Sequence, residues 1–158
     1  MEPGAMQAIV MTAAGGPEPS ELREIPEPAI QAPRQLKVRL KAAGVNPIDT
    51  KLRARGLLYP DALPAVLGCD GAGVVTEAGN AVSRFRPGDE VWFCNGGVGG
   101  AQGNYAEYTL VDESVARPKP KRLSFAEAAA GPLVLLTAWE ALYDRARISE
   151  GQRVLIHA

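Results

Sequence analysis

The sequence predicts a mainly β fold with a few helices, closing on a helical segment and one further strand. Three observations predict it. Leu36-Lys37-Val38-Arg39-Leu40-Lys41-Ala42 alternates apolar and basic side chains, the period of a strand with one wet face. The 17 glycines and 13 prolines are spread along the chain rather than gathered in a linker, which is the punctuation of many short strands joined by turns. The pattern then switches at Ser124-Phe125-Ala126-Glu127, a capping box that opens an alanine-rich helix.

The elements follow in order. Gln7 to Met11 is a short apolar run that stops at Gly15-Gly16-Pro17, and Leu22 to Ile25 is its expected partner strand, ended by Pro26 and Pro28. After the alternating strand, Asn46-Pro47 starts a short helix through Arg53, with Asn46 as N-cap and Pro47 at the first helical position. Ala72 to Ala78, Glu90 to Phe93 and Tyr105 to Leu110 continue the β pattern, with Pro87-Gly88-Asp89 as a turn. Pro132 breaks the alanine-rich helix or begins a second one. Leu135, Ala138, Trp139 and Leu142 then share one apolar helix face. Gly151 ends the helical region, and Arg153 to Ile156 reads as a buried strand. It looks like the first strand of a further domain whose remainder is missing.

Composition bounds the function. A chain of 158 residues holds one ordinary domain, within the usual range of roughly 50–250. An apolar fraction of 46% and a charged fraction of 22% are globular values. Seventeen basic against 18 acidic residues leave a net charge of −1, which calls for no nucleic acid and no acidic membrane surface. No apolar run approaches a membrane span, and the N-terminus lacks the pattern of a signal peptide. Two cysteines make no disulfide framework, so a reducing cytoplasm is the expected setting.

The residues offer little for the commonest chemistries. Cys69, Cys94 and His157 are far apart in sequence and form no short-spaced metal pair, so no metal is expected. Cys69-Asp70 is the one place where two candidate ligands adjoin, and a small buried thiol beside a turn aspartate accounts for it. No serine lies in a GxSxG elbow, and one histidine leaves little from which to build a base. Gly96-Gly97-Val98-Gly99-Gly100-Ala101-Gln102-Gly103 is followed by a strand pattern rather than a helix, so it reads as a loop and not a dinucleotide fingerprint. Asn46 and Asp49 sit at a helix start, where capping explains them as well as chemistry does.

Six blocks in order carry a resemblance. They are Gly44-Val45-Asn46-Pro47-Ile48-Asp49-Thr50-Lys51-Leu52-Arg53, Gly68 to Val75, Phe85 to Val91, Gly103 to Tyr108, Leu136 to Leu142 and Gly151 to Ala158. Together they resemble the zinc-free quinone oxidoreductases (zeta-crystallin-like) of the medium-chain dehydrogenase/reductase superfamily. Where the zinc alcohol dehydrogenases of that superfamily place a metal-binding cysteine, this chain has Asn46; where they place a His-Glu pair, it has Cys69-Asp70. Their four-cysteine structural-zinc lobe has no counterpart between Trp92 and Tyr105.

The resemblance implies a GroES-like, partly open β-barrel over residues 1–123. Residues 124–158 would be a helical connector and the first strand of an incomplete NAD(P)-binding Rossmann domain. It implies hydride transfer from NADPH to a quinone or an activated alkene such as an enone, without zinc. Asn46 would lie beside the nicotinamide and the reacting centre, Asp49 would orient the Asn46 loop, and Tyr59 would face substrate. Thr137 would hydrogen-bond near the carboxamide and Lys51 would reach a phosphate. A homodimer would form largely through the missing domain, and these 158 residues alone would not turn over NADPH. Two alternatives stand beside this reading: a zinc-type alcohol dehydrogenase relative, which metal analysis separates, and a non-catalytic GroES-like interaction module, whose last strand would have to be covered.

Overall fold

The computed structural model describes residues 4–58, 62–98 and 102–157. Among them, β1 (Ala5–Met11) pairs antiparallel with β2 (Ser20–Pro26) on one side and with β4 (Ala65–Val66) on the other. The larger sheet is built on β3 (Gln35–Gly44), which lies between β7 (Tyr108–Asp112) and β5 (Asp70–Ala78). β6 (Glu90–Cys94) and β8 (Arg117–Pro118) extend it beyond β5, giving the order β7-β3-β5-β6-β8 with every pair antiparallel. Residues 105–107 join the sheets. Ile9 N–H donates to the Tyr105 carbonyl at 2.8 Å, Glu107 N–H to Gln7 at 3.0 Å, and Leu40 N–H to the Glu107 carbonyl at 2.8 Å. The two sheets meet along this seam without closing into a barrel, the partly open arrangement expected.

One buried apolar cluster, on the five-stranded sheet, holds Leu36, Val38, Val75, Phe85, Val91, Phe93, Val111 and Ala116, while Ala8, Val10 and Val66 of the smaller sheet form another. Burying side chains of this size contributes roughly 1.5–3 kcal/mol each for the larger ones. One position of β3 departs from the wet face that its alternation predicts. Lys37 is buried, unlike Arg39 and Lys41 on the same strand: its ammonium lies 2.9 Å from Glu27, 3.0 Å from Glu77 and 5.3 Å from the centre of the Tyr108 ring. Pairing with both carboxylates raises its pKa against the lowering effect of burial, so the charge is kept.

Helix α1 (Pro47–Arg55) starts where Asn46-Pro47 predicts. The capping box at Ser124 also forms: Glu127 N–H donates to Ser124 Oγ at 3.2 Å, and Ser124 N–H to the Glu127 carboxylate at 2.8 Å. It opens α2 (Phe125–Ala129), which stops after five residues, and Pro132 begins α3 (Pro132–Trp139). A π-helical segment, Glu140–Arg145, continues α3. The apolar face expected of α3 is uncovered, with Leu135 54% and Trp139 59% exposed.

α2 packs on the sheet through Ala128 and Ala129 against Ala72 and Trp92. The approach is close enough that a Cβ on Gly44 would strike the Ala129 carbonyl oxygen. Gly44→Ala is therefore expected to destabilise the chain by about 1–3 kcal/mol, the cost of overpacking against backbone. Urea unfolding measures it; an unchanged midpoint would show that α2 can shift away freely.

Two strand expectations are corrected. The strand placed at Tyr105 to Leu110 begins only at Tyr108, because Tyr105 to Glu107 form the seam between the sheets. Arg153 to Ile156 is neither a strand nor buried here. A strand needs a ladder partner, none of the described residues supplies one, and Leu155 is 80% exposed.

Candidate functional site

The site grows from the start of α1. Asn46 is extended, with φ −117° and ψ 157°, so its own N–H points back into the helix entrance. Asp49, three residues on, accepts that N–H on Oδ2 at 2.8 Å. A carboxylate in the first turn also suits the positive end of the helix. The Asn46 side chain turns the other way and donates from Nδ2 to Oδ2 of Asp70 at 3.0 Å. Both carboxylates and the amide between them are buried: Asn46 is 5%, Asp49 3% and Asp70 0% exposed.

Asp70 is the first residue of β5, opposite Gly44 on β3 and Cys94 on β6. Its carboxylate also receives the Leu133 N–H, at 3.0 Å to Oδ1 and 3.2 Å to Oδ2. That N–H lies in the first turn of α3, where no intrahelical acceptor exists. Tyr105 completes the cluster by donating its hydroxyl to Asp49 Oδ2 at 3.0 Å. Its ring lies over Gly68, whose φ of +98° and missing Cβ make room; a methyl there would come within 2.6 Å of Tyr105 Cδ1. Asn104 holds the neighbouring loops, donating from Nδ2 to the carbonyls of Cys69 at 2.9 Å and Asn95 at 3.1 Å.

Burial and the two carboxylates set the protonation states. Burial raises the Asp70 pKa, partly offset by the hydrogen bonds from Asn46 and Leu133. The Cys69 thiol is pushed up to about 11 by burial, then by the charges of Asp49 and Asp70. Cys94 is pushed up to about 12 by burial, then by Asp70 and the neighbouring Cys69, and the Tyr105 phenol is raised by burial and Asp49. Both thiols are therefore protonated near neutral pH. They can act as weak donors and as small apolar groups, not as nucleophiles.

Two hollows flank the cluster. One of about 190 Å³ is lined by Val45, Asp49, Arg53, Leu67 and Tyr105, among others. The other, about 350 Å³, opens between Trp92, Phe93 and Cys94 on β6 and Leu135, Leu136 and Trp139 on α3.

This geometry sits within a sequence stretch that has known relatives. Residues 32–121 match the family model described as the alcohol dehydrogenase GroES-like domain. The chain belongs to that family. More particularly, it falls with the quinone oxidoreductase-like members of the medium-chain dehydrogenase/reductase superfamily. It is 36% identical over 152 residues to a quinone oxidoreductase of Mus musculus, covering 96% of this chain and 45% of that protein. It is 42% identical over 127 residues to the 2-methylene-furan-3-one reductase of Solanum lycopersicum, covering 77% of this chain and 32% of that one. The solved quinone oxidoreductase of Coxiella burnetii superposes with a TM-score of 0.85 at 32% identity, over 94% of this chain and 47% of that one. The chain thus spans less than half the length of these relatives.

Against the family expectation, Asn46 and Asp49 come together, and Asp70, Tyr105 and the Leu133 N–H join them. Lys51 lies apart, on the exposed side of α1. Thr137 is exposed on α3, one turn beyond Leu133, and donates its hydroxyl to the Leu133 carbonyl at 2.8 Å. Tyr59 lies outside the described residues. Asp70 is not the turn aspartate of the sequence reading but a fully buried strand residue. The signal for it was faint: an acidic residue entering an apolar run between glycines. Tyr105→Phe is expected to cost about 1–3 kcal/mol through the lost charge-assisted bond to Asp49. Chemical denaturation checks this, and a wild-type midpoint would show the hydroxyl contributes nothing.

Proposed function

We propose that this chain is the substrate-side part of a reductase that transfers a hydride from NADPH to a quinone or an activated alkene such as an enone, without zinc. Residues 1–123 form its GroES-like domain, and residues 124–158 lead into the cofactor domain. The reading is supported by one observation above the rest: an asparagine whose backbone N–H is held by buried Asp49 and whose side-chain amide is held by buried Asp70, at the position where metal-dependent members of the superfamily carry a zinc-binding cysteine. The donor set there does not suit zinc. Asn46 offers an amide, Cys69 a thiol held protonated, and Asp70 a carboxylate already engaged by Asn46 and Leu133. The names of the mouse and tomato relatives, a quinone oxidoreductase and a furanone reductase, support the acceptor class.

A nicotinamide fits the residues of α3. The Thr137 hydroxyl proton is engaged by the Leu133 carbonyl, which leaves its oxygen as an acceptor for a carboxamide N–H. Leu135, Leu136, Trp139 and Trp92 supply an apolar wall; Lys51, exposed on α1 and apart from that wall, is the cation that the family resemblance assigns to phosphate. When bound, NADPH supplies the hydride.

The chain's own residues position and polarise. Asn46 holds one Nδ2 hydrogen on Asp70; the other has no acceptor among the described residues and is the group for the acceptor oxygen as negative charge develops there. Asp49 holds the Asn46 backbone and takes no part in proton transfer. The partners are small molecules, with no nucleic acid and no membrane; no described helix is long and apolar enough to cross one. The protein works in the cytoplasm as a homodimer of two-domain subunits.

The test is NADPH oxidation by the two-domain protein with benzoquinone or a simple enone, with and without a metal chelator. Turnover indifferent to the chelator is expected. No oxidation with either acceptor, or activity that needs stoichiometric zinc, would overturn the reading.

A further inference from the structure

Asp70 touches both halves of the site. Its Oδ2 accepts from Asn46 Nδ2 at 3.0 Å, and both its oxygens accept from the Leu133 N–H at 3.0 and 3.2 Å. The Leu133 carbonyl in turn accepts from the Thr137 hydroxyl at 2.8 Å. One hydrogen-bonded path therefore runs from Asn46 through Asp70 and Leu133 to Thr137, from the loop on the sheet to the helix that crosses its edge. α3 has few other anchors: Pro132 is its buried residue, while Val134, Leu135, Leu136 and Trp139 are all more than half exposed.

A wholly buried carboxylate is costly unless its oxygens are fully engaged. A glutamine or an apolar residue would close a β-strand start at less cost, so a charge here needs a reason. The reason is geometric. Asp70 sits at the point where β3, β5 and β6 lie side by side, opposite Gly44 and Cys94, so its backbone is held by two ladders. A short, two-carbon side chain on that rigid strand fixes both partners with little freedom of its own.

We propose that Asp70 is a positioning residue that sets the placement of the Asn46 amide relative to α3. The path itself is independent of the reaction, but its consequence rests on the reading above that Asn46 and Thr137 face the reacting groups. Asp70 reaches neither substrate nor cofactor; it acts through Asn46 and Leu133.

Amide hydrogen exchange on this chain tests the path directly. Leu133 and Val134 both lie in the first turn of α3, where helix amides lack intrahelical acceptors. In the wild type, Leu133 is expected to exchange at least about tenfold more slowly than Val134, a local protection that Asp70 alone provides. In Asp70→Ala no acceptor remains for either donor, and Leu133 exchange should rise to the Val134 rate while Val38 and Val75 stay protected. Equal Leu133 and Val134 rates in the wild type would overturn the path, and this comparison needs no variant to fold.

The consequence is read in the two-domain protein, where Asp70→Ala should lower kcat by roughly 10- to 100-fold and leave KM for NADPH and quinone nearly unchanged. Faster Leu133 exchange with unaltered kcat would overturn the positioning role. A wild-type two-domain protein that oxidises no NADPH would overturn the reductase reading and this consequence with it, and the exchange rates distinguish that failure from loss of the path.

Discussion

Asn46→Ala is expected to lower kcat of the two-domain protein roughly 100- to 1,000-fold, the usual loss when one donor to a developing oxyanion is removed. The effect on stability should be far smaller, about 1–2 kcal/mol. Truncation removes one donor from Asp70 but leaves the Leu133 N–H in place, and the Asn46 backbone N–H still reaches Asp49. Asn46→Asp separates the two roles. It would set a third carboxylate against Asp49 and Asp70 in a buried space, where like charges cannot all be ionised. It should be less stable than the alanine variant at pH 7, although it is closer in shape. Urea unfolding of the three chains decides the order. An Asn46→Asp chain as stable as wild type would show that the amide donates nothing to Asp70, and kcat within threefold of wild type in Asn46→Ala would remove Asn46 from the reaction.

The sequence shows one side of this site and hides the other for physical reasons. The entrance to α1 is a local matter: Asn46, Pro47 and Asp49 lie within four positions, and capping chemistry acts over that distance. The same holds for Ser124 and Glu127. Asp70 is different. Read in its neighbourhood, Gly68-Cys69-Asp70-Gly71 is a turn, and nothing local says that a helix more than sixty residues later will place Leu133 against it. Tyr105 is hidden likewise, because its alternation with Glu107 reads as a strand when those residues bridge the two sheets. Lys37 shows the same limit, since Glu27, Glu77 and Tyr108, which gather around its ammonium, are brought there by long-range pairing. Arg153 to Ile156 illustrates the converse. Its residues favour a strand, yet preference forms no strand without a ladder partner. The six family blocks recover part of what local patterning misses, because they carry the relatives' whole fold.

Asp49 gives the second large expectation, and it distinguishes holding a loop from transferring a proton. Asp49→Ala should cost about 2–4 kcal/mol, since it leaves the Asn46 N–H and the Tyr105 hydroxyl without their acceptor in a buried place. Asp49→Asn should cost less than about 1 kcal/mol. Both donors converge on the same oxygen, Oδ2, so an amide oxygen in that position keeps both bonds. The amide N–H₂ then takes the place of Oδ1, which faces the Cys69 thiol at 4.0 Å, and sulfur can accept weakly from it. The Asn46 loop thus stays where it was, but the side chain can no longer take up or release a proton. If Asp49 only orients that loop, kcat of Asp49→Asn in the two-domain protein should stay within about threefold of wild type, while Asp49→Ala falls with its stability. If Asp49 moves a proton, the asparagine variant should lose roughly 100-fold or more while unfolding like the wild type. The stable but inactive outcome would make Asp49 a general acid or base and return Asn46 to a supporting role; the active one leaves Asn46 as the group that meets the acceptor.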